Sequence, residues 1–209
     1  MRKKILKIKS TYRLTFEKKC IIFAQNFNGM TFDKIHNSLY AVREEGHEDN
    51  VLYELFEEWN DVGYLYSFFK ENEERLHNYF HVRTIRQAVD DTLEDAEYLE
   101  YVLLDIKQEE SLDDIFIALD KNKPDTYLFR SKARNWERRN HDSWLRIYAL
   151  KLSEGIYVIT GGAIKMVGIM QENEITHEQL RKLNRCRSYL EESGVYDHDG
   201  FCDLINNEN

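Results

Sequence analysis

Apolar residues recur at helical spacing from Leu52 to Ile106 and at strand spacing from Leu145 onward, so a helical stretch precedes a sheet-forming one. Ahead of the helices, Ser38-Leu-Tyr-Ala-Val-Arg43 is a short apolar run of strand propensity closed by Glu44-Glu-Gly46, read as the first strand of the sheet. Asn50 is placed to cap a helix whose stripe is Leu52, Leu55, Phe56 and Trp59, with Gly63 as its stop. From Tyr64 to about Asn78 the pattern repeats through Leu65, Phe68, Phe69 and Leu76. Thr84-x-x-Gln87 has capping-box spacing and heads the clearest helix, with Ile85, Val89, Ala96, Leu99, Leu103 and Ile106 on one stripe. Asp90, Asp91, Glu94, Asp95 and Glu97 form its solvated charged face. A further turn of helix is expected at Ser111 to Asp114, before Lys121-Asn-Lys-Pro124, where the only proline breaks the pattern.

The second half reads differently. Ser143 to Leu152 alternates, with Trp144, Arg146 and Tyr148 on one face and Leu145, Ile147 and Ala149 on the other. Tyr157 to Thr160, Gly161-Gly162, and Ala163 to Val167 predict a β-hairpin whose two glycines supply a type I′ turn. Thr176-x-x-Gln179 is a second capping box, heading a helix with Leu180, Leu183 and Leu190 inward and Arg181, Lys182, Arg185 and Arg187 outward. Residues 1–29 interleave basic and apolar positions and stay ambiguous between strand and helix. They are treated as an arm, and residues 30–209 as one domain.

Composition adds a globular mixture, 42% hydrophobic and 32% charged in 209 residues. No apolar run is long enough to span a bilayer and the basic start lacks a secretory apolar core, so a soluble cytoplasmic protein is expected. Cys20, Cys186 and Cys202 are an odd number without C-x-x-C spacing, which indicates neither a disulfide framework nor a zinc knuckle. The net charge of −9 conceals segregation: +7 over residues 1–40, −17 over 41–120, +7 over 121–189 and −6 beyond. An RNA-contacting surface is therefore confined to the C-terminal basic segment or the arm, unless the acidic helices simply fold over the basic strands.

In the basic segment, Arg130-Ser-Lys-Ala-Arg-Asn-Trp-Glu-Arg-Arg139 sets five cations around one indole. Lys132, Arg134, Arg138 and Arg139 suit phosphate contacts and Trp136 suits base stacking, although ordinary surface loops share this composition. Lys151 joins them as an RNA-binding candidate. Glu73, His77 and His81 stand four residues apart, but the helix that would align them as metal ligands ends near Asn78, so no metal site is assigned. The phosphate-loop, dinucleotide and nucleophile-elbow fingerprints are absent, and no cofactor is expected.

Leu145-Arg146-Ile147, Tyr157-Val158-Ile159 and the closing helix from Thr176 to Leu190 resemble the C-terminal half of the RelE/HigB-type toxins over about residues 127–192, extending back to Leu39. Two positions depart from that pattern: Val158 stands where an arginine is common, and Ile169-Met-Gln171 where many relatives carry a lysine pair. The resemblance implies an α+β fold, a small curved antiparallel sheet with helices packed on it, here enlarged by an acidic helical insertion over about residues 50–120.

It also implies a ribosome-dependent mRNA endonuclease, the toxin of a toxin–antitoxin pair, with mRNA on the ribosome and a helix-turn-helix antitoxin as partners. Such an enzyme transfers the RNA phosphoryl group to its own 2′ oxygen, which requires a base, an acid for the leaving 5′ oxygen and cations for the phosphorane. On this basis Arg146 is expected to stabilise the phosphate, assisted by Lys132 or Lys165. Tyr157 is expected to position the RNA, and Tyr196 or His198 to move protons. The alternatives are core packing for Tyr157 and a surface turn for His198. A further possibility is an inactive protein of the same fold, of phage or mobile-element origin, binding a partner through its acidic helices.

Overall fold

A computed structural model of the chain describes residues 30–36, 38–79, 84–104, 112–120, 123–130, 143–152, 155–166 and 172–206. The fold is α+β. In chain order the elements are β1 (Met30–His36), β2 (Leu39–Glu44), α1 (Val51–Asn60), α2 (Val62–Glu71), α3 (Glu73–Tyr79), α4 (Ile85–Leu104), α5 (Leu112–Ile115), β3 (Phe116–Asp120), β4 (Lys123–Arg130), β5 (Leu145–Lys151), β6 (Tyr157–Ile164), α6 (Glu172–Glu192) and α7 (His198–Asn206). One six-stranded sheet runs in the order β1-β2-β6-β5-β4-β3. Neighbours are antiparallel except β2 and β6, which run parallel with Leu39 opposite Tyr157. The expected small antiparallel sheet is thus a larger mixed one, and the strand at Leu39 is its second, because Met30–His36 adds an edge outside it.

The glycine pair is the largest correction. Gly161 and Gly162 do not turn the chain; they lie inside β6, a single strand buried at every position. A Cβ on Gly161 would meet Gln179 Oε1 of α6 at 2.4 Å, and one on Gly162 would meet the Arg146 carbonyl oxygen and Leu55 Cδ1 of α1, each at 2.7 Å. Successive residues of a strand face opposite sides, so α6 covers one face of the sheet and α1 the other. Glycine is present here for close approach of helices to backbone, not for turning. Thr160 is passed over in the pairing with β5, where Tyr148 opposes Gly161 and Ala149 opposes Ile159.

On the α1 face, the Asn50 side chain caps α1 through Leu52 and Tyr53 N–H groups at 3.1 Å and donates to Asp33 of β1 at 3.1 Å. Asp33 also pairs with Arg43 of β2 at 2.9 Å, which ties the helix start to two strands. Gly63 is not a stop. Asp61 closes α1 with its backbone N–H and opens α2 by accepting from the Gly63 and Tyr64 N–H groups, so a polar cap separates two helices in one residue. The single helix expected from Tyr64 to Asn78 likewise breaks at Asn72, whose side chain caps Phe68. Thr84 caps α4 as its spacing predicts. The acidic face of α4 is only partly solvated, since Asp95 is fully buried beside the buried Thr92. Trp144, also fully buried, donates its indole N–H to Thr92 at 2.8 Å and meets the Phe69 ring edge-on at 5.3 Å, binding α2 and α4 to the start of β5.

On the other face, α6 begins at Glu172, four residues ahead of the Thr176 box, so that Thr176 lies inside the helix. The C-terminal tail forms α7, which its sequence did not announce. Asp197 caps it through the Gly200 N–H at 2.8 Å, and Phe201 packs edge-on against Phe32 of β1 and Tyr40 of β2 at 5.4 and 4.9 Å. No described helix is long and apolar enough to cross a membrane.

Candidate functional site

Helix α6 ends in a glycine cap that places the residues after it. Gly194, at φ +74°, sends its N–H to the Glu191 carbonyl, and Val195 sends its own to the Leu190 carbonyl at 2.8 Å. This is the paired Schellman arrangement, with Val195 folded back on Leu190. It sets Tyr196 over the C-terminal end of β5 and encloses a cleft of about 260 Å³. Leu150, Lys151 and Leu152 form its floor, and Arg187, Glu191 and Tyr196 bring cationic, acidic and phenolic side chains to its rim. Arg187 and Glu191 share it because residues four apart lie on one helix face. Tyr196 is 73% exposed, its hydroxyl 3.4 Å from the Glu191 carbonyl oxygen.

Beside the cleft, Lys151 belongs to a second cluster. Its ammonium lies 2.8 Å from Asp113 Oδ2 of α5, while the Tyr157 hydroxyl donates to Asp113 Oδ1 at 2.7 Å. The Tyr157 ring is fully buried, stacked on Phe116 at 4.7 Å with the Lys151 ammonium 5.5 Å from its centroid. Hydrogen bonds from Lys151 and then Tyr157 hold the Asp113 carboxyl below the usual carboxylate range, with burial opposing them. A depressed carboxylate stabilises the fold above its unfolded pKa, and that contribution disappears as pH falls through the lowered value. Acid-unfolding curves of the wild type and Asp113→Asn should therefore differ at neutral pH and converge on the acid side. Curves that run parallel down to the lowest pH would contradict this linkage.

The expected catalytic set does not converge. Arg146 stands at the opposite end of β5 from Lys151, five residues or about 17 Å away. Its guanidinium donates to the Ser143 and Leu145 carbonyls at 2.6 and 2.7 Å. Lys165 lies at that same distant end, its backbone N–H bonded to the Trp144 carbonyl at 2.7 Å. The Tyr157 ring is core and its hydroxyl is bonded to Asp113. His198 starts α7, with Asp199 Oδ1 at 3.4 Å and Cys202 Sγ at 3.8 Å, and does not line the cleft. Of the expected residues that are described, only Lys151 and Tyr196 meet there.

Lys132, Arg134, Trp136, Arg138 and Arg139 lie outside the described residues, as does His81; Arg130 is described at its backbone, where β4 sets it directly opposite Arg146. Glu73 and His77 approach to 3.8 Å on α3, and among the described residues no group of three acidic, histidine or cysteine side chains could hold a metal. Cys186 is no nucleophile, since burial pushes its thiol up to about 12. Sequence reasoning missed Arg187, taken as outward-facing, along with Glu191 and Asp113. The signal for the first two was the Arg187-x-x-x-Glu191 spacing followed by Ser-Gly-Val, a helix stop that turns the chain back over its last carbonyls. No family model, no curated protein and no solved structure matches the chain.

Proposed function

We propose that the chain is a ribosome-dependent mRNA endonuclease, the toxin of a toxin–antitoxin pair. One observation carries the reading: two cationic residues, a carboxylate and an exposed phenol line a single cleft at the end of the sheet beneath its closing helix. Support also comes from element order, since β2, the helices, the antiparallel run β3 to β6 and then α6 follow one another as the resemblance to RelE/HigB-type toxins leads one to expect. The helices α1 to α4 stand between β2 and β3 in the chain, which supports reading about residues 50–120 as an acidic insertion. In this reading Glu191 takes the proton of the 2′ hydroxyl, whose oxygen attacks the adjacent phosphorus. Tyr196 protonates the departing 5′ oxygen, and Arg187, with Lys151, stabilises the phosphorane charge, leaving a cyclic phosphate. Arg187 takes over the role first expected of Arg146.

A second reading, an inactive protein of this fold that binds a protein partner, is favoured by Val62, Tyr66 and Tyr101, each at least half exposed on α2 and α4. Mapping RNA 5′ ends after induction, with translated and untranslated copies of one message, separates the two. The nuclease gives cuts confined to the translated copy, and Tyr196→Phe reduces them without changing the thermal midpoint. Soluble protein with no cuts and no growth defect selects the partner-binding reading.

A further inference from the structure

Lys151 and Tyr157 both came from the basic half of the chain as candidates for RNA, yet both are occupied by one side chain of the acidic block. The geometry is that of a bound anion. An ammonium holds one oxygen of the Asp113 carboxylate at 2.8 Å and a phenol holds the other at 2.7 Å, the pattern two donors make with the two non-bridging oxygens of a phosphodiester. The donors are firmly placed. Tyr157 is fixed by burial and its stack on Phe116, and Lys151 is held at the end of β5 over the same ring.

The acceptor is not placed in that way. Asp113 sits on α5, only four residues long, and its side chain is 53% exposed. The carboxylate therefore covers the Tyr157 hydroxyl from the solvent side, and its withdrawal would open that hydroxyl and the Lys151 ammonium together. Since Lys151 also lines the cleft with Arg187 and Tyr196, the opened position adjoins the site described above.

We propose that Lys151 and Tyr157 form a binding site for a backbone phosphate of single-stranded RNA, and that Asp113 fills this site in cis in the free protein. The identity of the ligand rests on the nuclease reading; the occupancy by Asp113 does not. RNA binding then competes with an internal anion, and the acidic block restrains the protein through one replaceable contact.

The test is anisotropy of a labelled single-stranded RNA over a range of salt, with the full chain as wild type, Asp113→Asn, Asp113→Ser, Lys151→Met and the Asp113→Asn/Lys151→Met double variant. Asp90→Asn, on the exposed face of α4, controls for net charge. Asp113→Asn should bind roughly fivefold tighter, with a salt slope steeper by about one ion. Lys151→Met should cancel the gain, and Asp90→Asn should show none. Folded Asp113 variants that bind no tighter than the wild type overturn the proposal, as does a gain that survives Lys151→Met. Were neither Asp113 variant to fold, the wild type decides: saturating RNA shields Lys151 from acetylation if the phosphate binds there, and unchanged Lys151 reactivity in the complex refutes it. An Asp113→Asn gain in a chain that cuts no message retires the nuclease reading and leaves this site standing.

Discussion

Trp144→Ala lowers the unfolding free energy by about 3–5 kcal/mol, the range for truncating a buried aromatic. The indole is fully buried, its N–H satisfied by Thr92 and its ring packed in a T-shaped contact with Phe69, so alanine leaves a cavity where α2, α4 and β5 meet. Thr92 keeps its own bond to the Ala88 carbonyl at 2.7 Å, so the loss is chiefly one of packing. Spread over a chain of 209 residues, it should appear as a fall of about 10 °C in the thermal midpoint. Trp144→Phe, which restores most of the volume without the N–H, should recover more than half of it. Differential scanning calorimetry of the two variants checks both statements, and a phenylalanine variant as unstable as the alanine one would show that the hydrogen bond matters more than packing.

Gly162→Val should be comparably damaging, at about 1–3 kcal/mol or more for overpacking a filled core. Its Cβ would press on the backbone oxygen of Arg146 and on Leu55, and backbone cannot step aside as a side chain can. Gly161→Ala, though also strained by a φ of +157°, is milder because the atoms its Cβ meets, on Gln179 and Lys182, belong to side chains that can shift. Denaturant titrations of the two single variants should rank them in that order. The test bears on topology too. In an exposed two-residue turn, asparagine at 161 would be well tolerated; in the middle of a covered strand it would not.

That reversal shows where sequence patterns were sufficient. Asn50 and Thr84 were legible as caps because a cap is a local bond between neighbours in sequence, and the stripe from Val89 to Leu103 was legible because one helix face meets one core. Gly161-Gly162 was not, because the reason for both glycines lies on α6 and α1, far away in the chain. Strand β1 escaped notice since Met30–His36 mixes polar with apolar residues at a sheet edge. Asp95 reads as surface by its charged neighbours and is buried by tertiary packing. Arg146 was a plausible phosphate ligand from its motif, but a motif does not say which end of a strand the cleft occupies. Tyr196 was singled out through the resemblance to RelE/HigB-type toxins, and its position depends on Gly194, two residues earlier.

The order of strands also governs how the chain can be built. Among the described strands β6 is the last to be synthesised and yet occupies the interior of the sheet, between β2 and β5. Until residues 157–164 emerge, the earlier strands form two separate pieces, each offering an open edge along which other chains can pair. The unfinished protein is thus at its most aggregation-prone late in translation, and any premature stop between β5 and β6 releases a product with two further unsatisfied edges, on β2 and β5.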